Sequence, residues 1–184
     1  MNNKFRYSII FFVFIMSALW VFAKEKQNTA NTTKGIQWMS VEEAELKMKT
    51  QPKKVYVDLY TDWCGWCKTM DKNTFSHPKV IEYMNANYYC IRFNAEQKKS
   101  ITFQGKTYKT MAKSRTHELA DEWMNGQISY PTSVFFDEGF TNPQPIPGYL
   151  ELNDMEMIAR YIADNKHKTI PFDTYRKNFK PSWK

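Results

Sequence analysis

Cys64 and Cys67, in the run Trp63-Cys64-Gly65-Trp66-Cys67-Lys68, are the residues whose type and spacing most directly imply chemistry. The run follows an apolar stretch, Val55-Tyr56-Val57-Asp58-Leu59-Tyr60, that reads as a strand. Two thiols with two residues between them can close a small disulfide ring when the second sits one turn along a helix. The first thiol then lies at the helix N-terminus, where free N–H groups and the macrodipole favour a thiolate. A thiolate is the species that attacks a disulfide. Two other uses of such a pair stand beside reversible disulfide exchange. Covalent haem attachment needs His directly after the second Cys, and Lys68 is there. A closed zinc site needs four ligands. The remaining Cys90, His77, His117 and His167 offer no second pair at ligand spacing. Dithiol–disulfide exchange is the reading these features favour, with a metal carrier as an alternative.

Asp58 is the second chemical candidate. It lies six residues before Cys64, inside an apolar strand. Burial of an ionised carboxylate is costly, so its pKa should rise toward neutrality and make it a proton acceptor. Arg92 reads as a surface arginine with its stem along the sheet, proximity to Asp58 being the alternative. Cys90, between Tyr89 and Ile91, reads as a small buried hydrophobe. Of the thiol pair, Cys64 is expected to be exposed and Cys67 shielded.

These residues need a scaffold. Ser40 and Glu43 form a capping box for a helix to about Met48. A strand covers residues 54–60, a helix runs from Cys64 to about Asn73, and Pro78 opens another to about Asn85. Tyr88 to Asn94 is the next strand. Residues 101–108 read as a small hairpin around Gly105. A helix is expected over residues 111–125, a strand over 133–137, a turn at Asn142-Pro143-Gln144-Pro145 and a short edge strand over 146–149. Asn153 caps a last helix to about Asn165. The tail carries Phe172, Tyr175, Phe179 and Trp183 at spacing that suits a segment docking on the body. The alternation implies an α/β domain with a central mixed sheet flanked by helices and a small hairpin insertion.

Residues 1–23 read as a secretory signal peptide: Lys4 and Arg6, then an apolar run to Ala23, then Lys24-Glu25-Lys26. If uncleaved, the segment would tether the protein to a membrane. Residues 24–37 are polar and read as a linker, 38–165 as the domain, and 166–184 as a basic aromatic tail. Export implies an oxidising compartment. There a disulfide across two residues adds little as a staple, so catalysis is the better use of the pair. The formal charge is +7. No RNA-binding aromatic motif, zinc-finger spacing or helix-turn-helix pattern accompanies it, which argues against a nucleic-acid partner.

The segment Asp58 to Lys68, then Tyr130-Pro131-Thr132, then Gly148-Tyr149, resembles the thioredoxin superfamily. Thr74-Phe75-Ser76-His77-Pro78-Lys79-Val80 is similar to the segment after the active site in the C-terminal periplasmic domain of DsbD-type thiol:disulfide interchange proteins. The resemblance covers about residues 38–165. It implies a thioredoxin-like fold and a protein-disulfide reductase. Cys64 would be the attacking thiol, Cys67 the resolving thiol, and Asp58 the buried acid that takes the Cys67 proton. Pro131 would be cis and packed near the pair. Trp63, Gly65, Trp66, Tyr130, Pro131 and Thr132 would form the substrate-binding surface. It further implies no cofactor, a monomer in the periplasm or otherwise exported, cysteine-containing exported proteins as substrates, and a membrane thiol as electron donor. A client-binding module without turnover is the remaining alternative. The chain departs from thioredoxin by carrying Gly65-Trp66 between its cysteines, so a reduction potential cannot be carried across.

Overall fold

The computed structural model describes residues 35–184. The leader read over 1–23 and most of the linker lie outside the described residues.

Strands β1 (Trp38–Met39), β2 (Lys54–Tyr60), β3 (Tyr88–Asn94), β6 (Thr132–Asp137) and β7 (Thr141–Pro147) form one sheet in the order β1-β3-β2-β6-β7. β3 runs parallel to both β1 and β2, whereas β6 is antiparallel to β2 and to β7. The hairpin forms as a separate two-stranded sheet, β4 (Ile101–Phe103) with β5 (Lys106–Tyr108). The expected mixed α/β architecture is therefore the observed one.

Alternation along the buried strands decides which face of the sheet each residue serves. Val55, Val57, Leu59, Ile91, Phe93, Val134 and Phe136 point into one core. It is closed by α1 (Val41–Met48), the hairpin and α4 (Glu118–Trp123), through residues such as Ala44, Phe103 and Trp123. Tyr56, Cys90 and Phe135 point into the other. That core is closed by α2 (Gly65–Met70), α3 (Pro78–Asn87) and α5 (Leu152–Ala163), through Met70, Met84 and Ile158. Ile36, at the end of the stretch read as linker, is buried in this second core. Asp58 shares the parity of Tyr56, so it lies on the face that α2 covers.

Local sequence sets the helix ends. Ser40 and Glu43 complete their capping box, with Glu43 N donating to Ser40 Oγ at 3.1 Å and Ser40 N to Glu43 Oε2 at 2.7 Å. α2 passes directly into a π-helical turn, Asp71–Phe75. His77 caps α3, its side chain accepting from Lys79 N, and Pro78 takes the first helical position.

Three expectations are corrected. The helix read over 111–125 is confined to Glu118–Trp123, because Lys113-Ser114-Arg115-Thr116 supplies no apolar face and His117 caps the helix by accepting from Leu119 N. The expected turn at 142–145 is part of β7. In a strand, alternate N–H groups point to opposite edges. Prolines at 143, 145 and 147 thus strip donors from one edge, while Gln144 and Ile146 keep theirs for β6. An edge without donors is a poor template for a further strand. The last helix starts after Glu151, not Asn153, and has no side-chain cap.

The tail packs on α3 and α5. Helix α6 (Phe172–Asn178) brings Phe172 and Tyr175 against Tyr161, at ring distances of 5.2 and 4.9 Å. Trp183 is buried beside Tyr83 at 5.3 Å. The buried Glu156 carboxylate accepts from Arg160 Nε, Ser182 Oγ, Ser182 N and Trp183 N, which fixes this end of the chain to α5.

A candidate dithiol–disulfide active site

Cys64 and Cys67 are joined in a disulfide, with their Cα atoms 5.3 Å apart. Cys64 is the N-cap of α2, in extended conformation, and Cys67 N–H donates to its Sγ at 3.0 Å. β2 ends at Tyr60, and the turn to the cap is held by Cys64 N donating to Thr61 O at 3.1 Å. The strand thus delivers the first sulfur to a helix start, where a backbone N–H points at it. That donor would stabilise the sulfur as a thiolate once the disulfide is reduced.

The expected contrast in exposure between the two cysteines is absent from the oxidised form, since each is only 3% exposed. Exposure lies in the flanking indoles instead: Trp63 is 65% and Trp66 63% exposed. Trp63 meets the Tyr130 ring edge to face at 5.9 Å and donates from Nε1 to Glu96 Oε2 at 3.0 Å. Trp66 meets the Tyr149 ring at 5.7 Å. A Cβ built on Gly65 would meet nothing within 4 Å, so the position between the indoles is open.

The Tyr130–Pro131 peptide is cis. Gly148 N donates to Pro131 O at 2.8 Å, and Thr132 opens β6 opposite Leu59 and Pro147. Tyr130 is half-buried; Pro131 and Thr132 are buried, the Thr132 hydroxyl donating to Ser129 O. Trp63, Gly65, Trp66 and Tyr130 therefore reach the surface, whereas the Thr132 side chain turns inward.

Asp58 is 1% exposed on the sheet face beneath α2. Burial is the largest influence on its carboxyl and raises its pKa from 3.8 to about 7; Arg92 opposes the rise and Asp71 adds to it. Arg92 is not the surface residue it reads as. Its Nε lies 3.8 Å from Asp58 Oδ2, its Nη2 2.6 Å from Asp71 Oδ2, and its guanidinium 4.6 Å from the Tyr60 ring centre. The pairing follows from register, because Arg92 is the β3 partner of Asp58 on β2.

Asp71 is the acid that sequence reasoning missed. It is the C-cap of α2, seven residues after Cys64. Two helical turns return a side chain to the same face, and that spacing was the available signal. Glu96, the partner of the Trp63 indole, was also missed, and no spacing rule points to it; Tyr149 entered only with the family resemblance, without its contact to Trp66.

Cys90 is free and fully buried, and burial pushes its thiol up to about 12. It is a core residue on this geometry. Among the described residues, no group of three or more His, Cys, Asp or Glu side chains is placed to hold a metal ion.

Comparison with known proteins places these features in context. A family model described as a thioredoxin-like domain matches residues 41–163. The thiol:disulfide interchange protein DsbD of Haemophilus ducreyi is 31% identical over 118 residues, covering 62% of this chain and 18% of that protein. This chain thus spans less than a fifth of the length of that relative. A thioredoxin-fold protein from Helicobacter pylori superposes with a TM-score of 0.53 at 15% identity, over 76% of this chain and 94% of that one. A putative disulphide-isomerase from Bacteroides thetaiotaomicron superposes with a TM-score of 0.50 at 20% identity, over 71% of this chain and 96% of that one. At these identities the two structures bear on the fold.

Proposed function

The chain belongs to the thioredoxin-like family, and from that premise we propose that it is an exported protein-disulfide reductase working through Cys64 and Cys67. The observation that carries the reading is the placement of the Cys64 sulfur. It caps a helix, accepts an N–H from Cys67, and sits between two exposed tryptophans near a cis-proline loop.

In the reduced protein, the Cys64 thiolate attacks one sulfur of a substrate disulfide. A Cys64–substrate bond forms, and the other substrate sulfur leaves as a thiolate. Cys67 then gives up its proton and attacks the Cys64 sulfur. The internal disulfide closes, and the second substrate sulfur leaves. The substrate gains two electrons, and an external thiol donor restores the Cys64–Cys67 dithiol. Asp58, with its pKa near 7, is poised to take the Cys67 proton at neutral pH. Trp63, Gly65, Trp66 and the Tyr130–Pro131–Thr132 segment form the face against which the substrate rests. Tyr130 offers backbone groups to an extended partner segment.

The reductive direction is supported by the sequence likeness to a thiol:disulfide interchange protein and by the lack of a cation between the cysteines. Export is supported by the basic and apolar leader. The partners in this reading are exported proteins with cysteines and a membrane-bound thiol donor, and the protein acts as a monomer. The test is turnover: the protein should accelerate insulin reduction by dithiothreitol, seen as earlier precipitation of the free B chain. A lag equal to that of dithiothreitol alone would leave a client-binding module as the better account.

A further inference from the structure

The insertion that carries the hairpin is strongly basic. Residues 98–115 hold Lys98, Lys99, Lys106, Lys109, Lys113 and Arg115 and not one Asp or Glu. Two of these cations are paired, Lys99 with Glu42 at 2.9 Å and Lys106 with Glu122 at 3.2 Å. The side chains of the other four are exposed and have no ion-pair partner among the described residues.

Their position relative to the disulfide is fixed by a chain of backbone contacts. Ala95 N donates to Tyr60 O at 2.8 Å, and His117 N to Ala95 O, which ties both ends of the insertion to the end of β2 that leads to Cys64. Thr110 Oγ1 donates to Gln97 O, which joins the loop before the hairpin to the loop after it. Glu96 accepts from the Trp63 indole, and the Thr116 side chain lies beside the Tyr130 hydroxyl. The hairpin tip points the other way, with Gln104 bonded to Glu45 and to Gly139 O. The two loops at the hairpin base therefore flank the Trp63–Tyr130 side of the disulfide, and all four unpaired cations sit on them. The nearby carboxylates keep their charge but are held to the chain by neutral donors, Asp62 by Asn94 Nδ2, Glu96 by Trp63 and Glu118 by Lys109 N, whereas the four cations are free to reach outward.

We propose that these two loops, through Lys98, Lys109, Lys113 and Arg115, form a docking surface for an acidic segment of the partner protein next to the cysteines it presents. Four exposed cations without an ion-pair partner, on the loops that flank the Trp63–Tyr130 side, raise the encounter rate with an acidic partner segment and lower it with a basic one. The charge lies beside the partner face, which favours a protein segment over a lipid surface. The inference rests on disulfide exchange at Cys64, and the experiment separates the two.

The reduced protein, freed of reductant, is mixed with two disulfide-bonded peptides that share the sequence around their cysteines. One is flanked by glutamates and the other by lysines. At low salt the glutamate peptide should form the mixed disulfide with Cys64 about tenfold faster. That ratio should shrink toward one at about 0.3 M salt. In the quadruple variant K98E/K109E/K113E/R115E the ratio should invert; a ratio is insensitive to any general loss of activity. Equal rates for both peptides in the unmodified protein, with exchange itself intact, would overturn the docking surface and leave the exchange reading standing. No exchange with either peptide or with hydroxyethyl disulfide would overturn both. A preference unchanged in the variant, or binding to phosphatidylglycerol vesicles through these residues without any peptide preference, would also overturn it.

Discussion

Replacing Cys64 by serine is expected to reduce insulin reduction to the dithiothreitol background, a loss on the order of a thousandfold or more in the catalysed rate. A serine hydroxyl at the helix cap still accepts the Cys67 N–H, so the fold is kept while the nucleophile is lost. Cys67→Ser should behave differently. Its Cys64 can still attack, but nothing closes the internal disulfide, so the protein should accumulate as a covalent complex with its substrate. Non-reducing electrophoresis followed by mass mapping reads both results. Equal turnover in the wild type and Cys64→Ser would overturn the enzyme reading in favour of a client-binding module, and complexes mapped to Cys67 in the wild type would reverse the assigned order of attack.

Asp58→Asn is expected to alter stability and turnover together, each with its own pH signature. The Asp58 pKa rises from 3.8 to about 7 on folding. Such a group contributes stability that is fully present below about pH 3.8 and is lost as pH rises through about 7. Ionised Asp58 therefore costs the folded state about 4 kcal/mol at most above neutrality, and asparagine removes that cost. Urea unfolding of the oxidised proteins at pH 8 should show the variant as the more stable, with the difference closing near pH 4. In the proposed mechanism the same substitution removes the acceptor for the Cys67 proton. Release from the mixed disulfide should then slow on the order of a hundredfold at pH 7 and lose the rise with pH that Asp58 gives the wild type. A stability difference that is the same at both pH values, or release rates that match at pH 7, would remove Asp58 from this role.

The sequence carries these features unevenly. The site's centre is local: a strand, a cap and one helical turn set the cysteine spacing, and β2 and β3 fall where hydrophobic runs place them. The surroundings of Asp58 are not local. Arg92 reaches it through strand register and Asp71 through a helix that turns π-helical, and neither is visible in a linear pattern. The 111–117 segment misreads as helix because Met111 and Ala112 suit one, but the Thr110–His117 bridge takes its backbone. β7 misreads as a turn because prolines usually interrupt strands, yet at an edge their missing donors cost nothing. The aromatic partners of Trp63 and Trp66 come from distant turns, which only the tertiary fold brings together.

The central claim is that this pair donates electrons, and its reduction potential tests that most directly. A strong oxidant owes its potential to a stabilised thiolate in the reduced form. Here Asp58 lies beneath the helix that carries both cysteines, Arg92 is paired with Asp71 at the far end of that helix, and no cation stands in the sequence between the cysteines. An ionised Asp58 so placed disfavours the thiolate and favours the disulfide, which lowers the potential. Equilibration of the protein in dithiothreitol redox buffers, quenched by acid and read by thiol alkylation, gives the value. The account predicts a potential nearer the roughly −270 mV of thioredoxin than the roughly −120 mV of DsbA. A value close to that of DsbA would contradict it and make the protein an oxidant.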